Sequence, residues 1–558
     1  MAARKEDIEK YALQNAVAFG GRANTSAVIG KLLKESPGLK DEIALLMPQV
    51  AKVVAEVNRL RPDLQKKMLE EQAPELLERP KPAKRELPEL ENAEMGKVVT
   101  RFPPEPSKHL HIGHALSFLI NYMYAEKYNG KCILRFEDTN PATAKKEFVE
   151  SIRQDITDYL QAKPSHVFAV SSHMPEFYTH AEKLIQMGKA YVCACSKERI
   201  GELRQKGDLC TCRTKAKAAN LHEWREMLSG KHKEGSMVLR LVGDIQSPNM
   251  VMREPVIFRI SKDEHYIYKN KYCVWPMYDF ENAIEDGTGG VTHILRSIEF
   301  GQMRVELQDY IKDLLGLPKQ TVVQYGRFNV TGTTTKGREL RELIKSRHYI
   351  GWDDPRLVTL SALRKRCIQP QTYRELALEV GLSKTQTNID FSVIAAYNRK
   401  VLDPATRRFF MVAEPVSITI EAAPQQVAEI KNHPSNEKLG TRKYKVHERF
   451  YIDKKDLEQL QEGELVRLMD CLNFRKVKGK FLFDSLEYEK FRSKGKKVIH
   501  WLPYDEAVKA KLMMPDAKLK PVLVETAAAK LKEGEVIQFT RVGFCSVEGK
   551  GTFWFGHE

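Results

Sequence analysis

The order of apolar and polar positions changes period twice along the 558 residues, and those changes divide the chain into three stretches. Up to about residue 75 the apolar positions recur at helical spacing. Ile8, Tyr11, Leu13, Ala16 and Val17 share one face, and Gly20-Gly21 stops that helix. A second helix is predicted through Val28, Ile29, Leu32 and Leu33, and a third from Ile43 to Leu60 with Pro48 near its start. Residues 76–96, with Pro80, Pro82 and Pro88 among charged positions, read as a linker. Beyond it, Lys97 to Phe102 reads as a strand, Ala115 to Tyr128 as a helix, and Cys132 to Phe136 as a second strand. Strand, helix and strand repeating within about 30 residues form a βαβ unit and hence a parallel sheet. From about residue 404 onward short β-type runs take over, among them Val416 to Ile420, Leu465 to Leu468, Val522 to Val524 and Thr552 to Phe555. Turns such as Glu462-Gly463 and Lys478-Gly479 separate them, the spacing expected of two small β-barrels.

Charge adds a direction to this outline. Lys and Arg number 90 against 74 Asp and Glu, a formal charge of +16. Such a surplus favours a polyanionic partner, because each neutralised phosphate releases condensed counterions, although a merely basic surface has the same composition. No apolar run approaches the roughly 20 residues of a membrane span, and Met1 to Ala18 has no signal-peptide core. Nine cysteines, five of them isolated, suit a reducing cytoplasm better than a disulfide framework.

The chemistry concentrates after the first predicted strand. The stretch Arg101-Phe-Pro-Pro-Glu-Pro-Ser-Lys-His-Leu-His-Ile-Gly-His114 contains neither a dinucleotide glycine fingerprint nor a P-loop lysine. His111 and His114 instead stand three apart at the start of a helix, so they share a face. Unpaired N–H groups and the positive dipole end expected there would join them in holding the phosphates of a nucleotide. Gly113, without a Cβ, would let a base or ribose approach the backbone. Taken alone, two such histidines are ordinary surface or core residues. The whole loop is not: Pro104 to His114 resembles the HIGH signature of class I aminoacyl-tRNA synthetases in the form carried by the glutamyl and glutaminyl subgroup.

The resemblance extends along most of the chain and is nearest to the archaeal and eukaryotic glutamyl type. It implies a multidomain fold: a helical N-terminal domain at 1–75, the linker, a Rossmann-type catalytic domain at 97–325, a KMSKS-like loop with helical connector at 326–403, and the β-barrel anticodon-binding region at 404–558. An insertion at about 191–273 would grip the tRNA acceptor end. Within this frame Pro104, Glu105, Pro106, Ser107, His111, Gly113 and His114 are expected around ATP and its Mg2+, with Arg327, Phe328 and Lys336 on the opposite side. Thr333-Thr-Thr-Lys336-Gly-Arg338 resembles a diverged KMSKS loop, departing from it at Thr333 where the family has lysine. His111, Gly113, His114 and Lys336 would serve the catalytic step.

For the amino acid, Leu134-Arg-Phe-Glu-Asp-Thr-Asn-Pro141 resembles the segment that holds the α-ammonium, with Glu137 in that role, although the residue beside it, Asp138, is also a strand-end acid. Trp275-Pro-Met-Tyr278-Asp-Phe280 resembles the amino-acid pocket, with Tyr278 in contact and Asn282 one turn on. Arg101 and Arg296 fall where glutamate-specific members place a pair of arginines; glutaminyl members carry cysteine at the second position. A guanidinium offers only donors, so it suits a carboxylate and leaves a glutamine NH2 unpaired. The ion pair of Arg296 with Glu299 is the structural alternative. Cys193-Ala-Cys195 and Cys210-Thr-Cys212 fit a closed tetrahedral zinc site, or four reduced thiols packed as small hydrophobes.

The expected activity is ATP-dependent activation of L-glutamate and its transfer to tRNA-Glu, with tRNA-Gln as a further acceptor in some members, by a monomeric cytoplasmic enzyme. A glutaminyl-tRNA synthetase and a non-catalytic tRNA-binding protein that keeps the fold are the rival readings.

Overall fold

The computed structural model describes residues 5–36, 38–39, 43–77, 86–331, 334 and 336–558. Thr333 of the KMSKS-like loop, and Pro80 and Pro82 of the predicted linker, lie outside the described residues. The chain forms two compact units, 1–85 and 86–558.

The first unit contains α1 (Lys5–Ala18), α2 (Thr25–Glu35), α3 (Ile43–Val57) and α4 (Pro62–Gln72). Ile8, Leu13 and Ala16 of α1 pack with Val28, Val50, Val54 and Leu69 in one apolar cluster. The periodicity of α4 is hard to read because a core position is held by Gln65. Its fully buried Nε2 lies 3.0, 2.9 and 3.2 Å from the carbonyls of Gly21, Val57 and Leu60, satisfying the chain where neighbouring helices end.

In the second unit β1 (Val99–Phe102), α5 (Ile112–Lys127) and β2 (Lys131–Phe136) make the predicted βαβ unit. β1 pairs in parallel with β2, and β2 in parallel with β3 (His166–Ala169). Further along the chain, β4 (His293–Ser297) pairs in parallel with β5 (Thr321–Tyr325). Two hydrogen bonds, Thr292 N–H to the Val99 carbonyl and Val99 N–H to Thr292 Oγ1, join β4 to β1. The spatial order is therefore β3-β2-β1-β4-β5, and the direction of progress through the sheet reverses between β1 and β4. In open α/β sheets such a reversal opens a crevice beyond the carboxyl ends of the strands. α5 lies across this point: its buried Asn121 donates to the Leu295 carbonyl at 3.2 Å and accepts from Thr100 Oγ1 through its own carbonyl at 2.8 Å.

Between β3 and β4 the chain builds a separate four-stranded antiparallel sheet from Ala190–Cys193, Val238–Leu241, Val256–Ile260 and Val274–Pro276. α6 (Tyr278–Thr288) follows it directly, and α7 (Gly301–Leu315) follows β4.

The C-terminal part is β-rich, in two seven-stranded sheets, but neither closes as a barrel. One sheet runs from Arg408–Phe409 at one edge to Met411–Val412 at the other, so both edges belong to one segment interrupted at Phe410. The other runs from Lys497–Ile499 to Leu502–Pro503, interrupted at His500-Trp501. Side chains supply hydrogen bonds at both breaks. Phe410 N–H donates to the buried Glu525 carboxylate at 2.8 Å, and Trp501, fully buried, donates its Nε1–H to the Met469 carbonyl at 2.9 Å. His500 Nε2–H donates to the Met411 carbonyl at 2.7 Å, tying the break in one sheet to the edge of the other. Among the described residues no helix is long and apolar enough to cross a membrane.

Candidate active site

The crevice at the strand reversal is a cavity of about 670 Å3. Arg101 and Phe102 reach it from the end of β1, Glu137 from beyond β2, Leu295, Arg296 and Ser297 from the end of β4, and Tyr325 from the end of β5. Both predicted arginines therefore face the same space. His111, Gly113 and His114 line it from the start of α5, Pro104 and Glu105 from the preceding loop, Tyr278 from α6, and Arg327, Phe328 and Lys336 from the far side.

The two histidines cap α5 with each other. His111 Nδ1 accepts from the Gly113 N–H at 3.1 Å, and His114 Nδ1 accepts from the His111 N–H at 3.3 Å. Their rings stack at 3.8 Å with an interplanar angle of 30°. Because each Nδ1 is an acceptor, each ring carries its proton on Nε2. Burial keeps both rings neutral: it moves His111 well below the usual histidine value, with the adjacent His114 adding to the effect, and His114 falls to about 3. Contrary to the expectation from the sequence, the first backbone N–H groups of α5 are not left over for a ligand. Ile112 N–H donates to the Val358 carbonyl, and the N–H groups of Gly113, His114 and Ala115 donate to His111. The donors available to an anion are the imidazole Nε2–H groups. The same packing favours glycine at position 113, since a Cβ there would crowd His111 Cε1 at 3.0 Å and the Phe328 carbonyl at 3.2 Å.

Beneath the cavity runs a buried charge network that sequence patterns do not single out. Arg101 donates through Nε and Nη2 to Asp286 of α6, at 3.1 and 3.2 Å. Arg135 donates to Asp286 Oδ1 at 2.8 Å, to Asn282 Oδ1 at 3.0 Å and to Glu137 Oε1 at 3.4 Å. Asn282 in turn donates Nδ2–H to Glu137 Oε1 at 2.7 Å. Asn282 thus stands behind Glu137 and orients it without lining the cavity. Burial pushes Glu137 up to about 7 against the pull of Arg135. Glu281, which lines the cavity and accepts from Thr139 Oγ1, is raised well above the usual carboxylate range by burial and by the Glu137 charge. The neighbouring acid, Asp138, is engaged elsewhere: it accepts from Ser171 N–H and Oγ at 2.8 and 2.7 Å and from Tyr266 at 3.0 Å. Of the two strand-end acids, only Glu137 faces the cavity.

Arg296 is the least compensated charge in this cluster. Its Nη1 donates to Gln308 Oε1 of α7 at 3.0 Å, while its Nε and Nη2, both buried, have no hydrogen-bond partner among the described residues. Burial and the nearby Arg101 charge lower its pKa. The alternative pair with Glu299 is not formed; Glu299 binds Arg327 at 2.6 Å. Tyr278 stacks on Phe300 at 5.7 Å beside it.

Two further expected ATP-side residues, Pro106 and Ser107, do not line the cavity. Their carbonyls accept from Lys145 N–H at 3.1 Å and from Arg341 at 2.7 Å, which anchors the loop. Lys336 caps the helix Gly337–Lys345, and a Cβ at Gly337 would meet Lys108 Cδ at 2.9 Å, so this loop lies against the one before α5. Lys108, Arg135, Glu281, Asp286 and Gln308 escaped the sequence reading; Lys108 and Arg135 sit inside the two recognised motifs, the others on helices with several similar residues.

Outside the cavity, Cys193, Cys195, Cys210 and Cys212 hold their sulfurs within 4.8 Å of one another. Cys210 lies 3.7 Å from Cys193 and 3.4 Å from Cys195. A tetrahedron of zinc–sulfur bonds of roughly 2.3 Å puts its sulfurs about 3.8 Å apart, so the four thiols fit that ion.

Comparison with known proteins identifies the family. Residues 97–404 match the family model of the catalytic domain of tRNA synthetases class I (E and Q), and 406–482 and 498–548 match two models of the anti-codon binding domain of the same class. The glutamate–tRNA ligase of Pyrococcus abyssi is 40% identical over 556 residues, spanning 97% of this chain and 96% of its own. That of Nitrosopumilus maritimus is 38% identical over 569 residues, 99% of each chain. Together, the cavity built at the strand reversal and these full-length likenesses show that the chain belongs to the class I (E and Q) tRNA synthetases.

Proposed function

We propose that the chain is a glutamate–tRNA ligase, activating L-glutamate with ATP and transferring it to the 3′ end of tRNA-Glu. One observation carries the choice of amino acid: the buried Nε and Nη2 of Arg296 have no partner among the described residues and belong to a side chain that lines the cavity. Buried donors left unpaired are costly, and a carboxylate supplies the acceptors they lack. Arg101, with Nη1 outside its pair with Asp286, adds a second donor.

In the proposed mechanism Glu137 receives the α-ammonium, steadied by Asn282 and Arg135, while Tyr278 covers the side chain. The α-carboxylate then attacks the α-phosphate of Mg-ATP in line, giving glutamyl-adenylate and pyrophosphate. The Nε2–H groups of His111 and His114 and the ammonium of Lys336 stabilise the charge that develops on the phosphates. Positioning supplies much of the remaining acceleration, and no protein nucleophile is needed. A ribose hydroxyl of the tRNA terminus, the 2′-OH by class I resemblance, then attacks the acyl carbon of the adenylate, losing its proton as AMP leaves. The four cysteines would hold a structural zinc that stiffens the inserted subdomain. The C-terminal sheets would receive the anticodon, with basic, aromatic-bearing runs such as Lys490–Lys497 suited to phosphate contact and stacking.

The test is charging of separate tRNA-Glu and tRNA-Gln transcripts with labelled glutamate and labelled glutamine. Glutamate on tRNA-Glu is expected, and charging with glutamine alone would refute the reading. Glutamate on both transcripts would add tRNA-Gln as an acceptor. In parallel, Lys336→Ala should lower tRNA-dependent ATP–pyrophosphate exchange by about a hundredfold or more; equal exchange by both proteins would remove Lys336 from the chemistry.

A further inference from the structure

Of the arginines that line the cavity, Arg101 and Arg296 are held by partners of different charge. Asp286, a carboxylate, holds Arg101 and also Arg135. Gln308, a neutral amide only 2% exposed, holds Arg296. The amide orientation follows from its neighbours. Its Oε1 accepts from Arg296 Nη1 at 3.0 Å, and its Nε2 donates to Asp279 Oδ1 at 3.1 Å. A guanidinium can only donate and a carboxylate only accept, so the reverse orientation would leave both contacts unmade. Asp279 Oδ2 accepts in turn from Arg304 Nη1 at 2.5 Å, one turn before Gln308 on α7. The relay Arg304–Asp279–Gln308–Arg296 therefore pairs the Asp279 charge with Arg304 and keeps it one side chain away from Arg296.

We propose that Gln308 is a specificity-determining positioning residue: it fixes Arg296 through a neutral oxygen, so that the guanidinium keeps its charge uncompensated for the carboxylate of the substrate. The inference rests on the glutamate reading given above. A glutamate at position 308 would have nearly the same shape and offer Arg296 the same acceptor. It would also cancel the charge that a carboxylate substrate must find. Positioning and charge are thus separable at this residue.

The experiment moves the carboxylate without changing the net charge. In the double variant Asp279→Asn, Gln308→Glu, the asparagine amide can accept from Arg304 and donate to the new carboxylate, which accepts from Arg296. The KM for glutamate in tRNA-dependent pyrophosphate exchange is expected to rise at least about tenfold, and the preference for glutamate over glutamine to fall. The KM for ATP should stay within about twofold, since no ATP-side contact changes. A folded double variant whose KM for glutamate matches the wild type overturns the proposal. Should the double variant not fold, Gln308→Met decides. Loss of the holder alone should raise the KM for glutamate several-fold while the preference for glutamate is retained, and an unchanged KM overturns the proposal. Failure of the underlying reading is visible separately, as a wild-type protein that exchanges with glutamine and not with glutamate.

Discussion

Arg101 and Asp286 face each other as a two-point ion pair, with side chains 2% and 1% exposed, at the base of the cavity. Burial by itself would raise the Asp286 carboxyl, and the charges of Arg101 and Arg135 hold it well below the usual range. Asp286→Asn would leave the buried Arg101 without its counter-charge and Arg135 with Glu137 alone. Removing one partner of a buried pair costs roughly 3–5 kcal/mol, so urea unfolding should register a loss of that order. A loss below about 1 kcal/mol would mean that the pair is not what holds these arginines.

The histidine pair predicts an acid dependence. His114 is held at about 3 against an ordinary value of 6.5. Its folded pKa is depressed, so the unfolded chain binds the proton more tightly. The contribution to stability is complete above about pH 6.5 and is lost as pH falls towards the folded value. His114→Asn keeps an acceptor for the His111 N–H but cannot titrate. Its stability should fall less steeply than that of the wild type between about pH 6 and 4, by up to about 1.4 kcal/mol per pH unit. Parallel stability curves for the two proteins would show that His114 takes up its proton in the folded state.

Glu137 carries a pH dependence of binding. Its carboxyl is pushed up to about 7, and only the ionised form attracts an ammonium. The KM for glutamate should therefore fall about tenfold between pH 6 and 8 and level off above. Glu137→Gln should raise that KM and flatten its pH profile. A profile that survives the substitution would assign the titration to another group, Glu281 being the nearest candidate.

The cysteine cluster predicts one zinc per chain by elemental analysis of protein purified without chelators. Cys210→Ser, which removes the sulfur placed near both Cys193 and Cys195, should bring the metal content to background and lower the melting temperature. Metal-free wild-type protein with an unchanged melting temperature would favour four packed thiols.

How much of this was legible in the sequence depended on whether a feature is local. The βαβ unit and the loop from Pro104 to His114 are contiguous, so period and spacing exposed them. Asp286 is not local in that sense. The helix Tyr278–Thr288 holds Asp279, Glu281, Glu285 and Asp286, and nothing in their order tells which one meets Arg101 across the sheet. Gln308 is quieter still, a lone amide on a helix that only the fold brings to Arg296. Asn282 is expected in the amino-acid pocket and instead stands behind Glu137, a distinction of one layer that spacing cannot express. Several strands, such as Gln426–Lys431 and Thr441–Val446, were missed because charged residues fill their outward positions. Barrel closure, in turn, depended on the breaks at Phe410 and at His500-Trp501, which no local pattern marks.

The stretch from Arg408 to Glu421 contributes to both C-terminal sheets, and the His500 imidazole fastens the break in one to the backbone of the other. The pair is therefore expected to fold as a single cooperative block. Unzipping either seam would strip the anchorage from its neighbour, and residues 406–558 should melt in one transition with no half-folded species between.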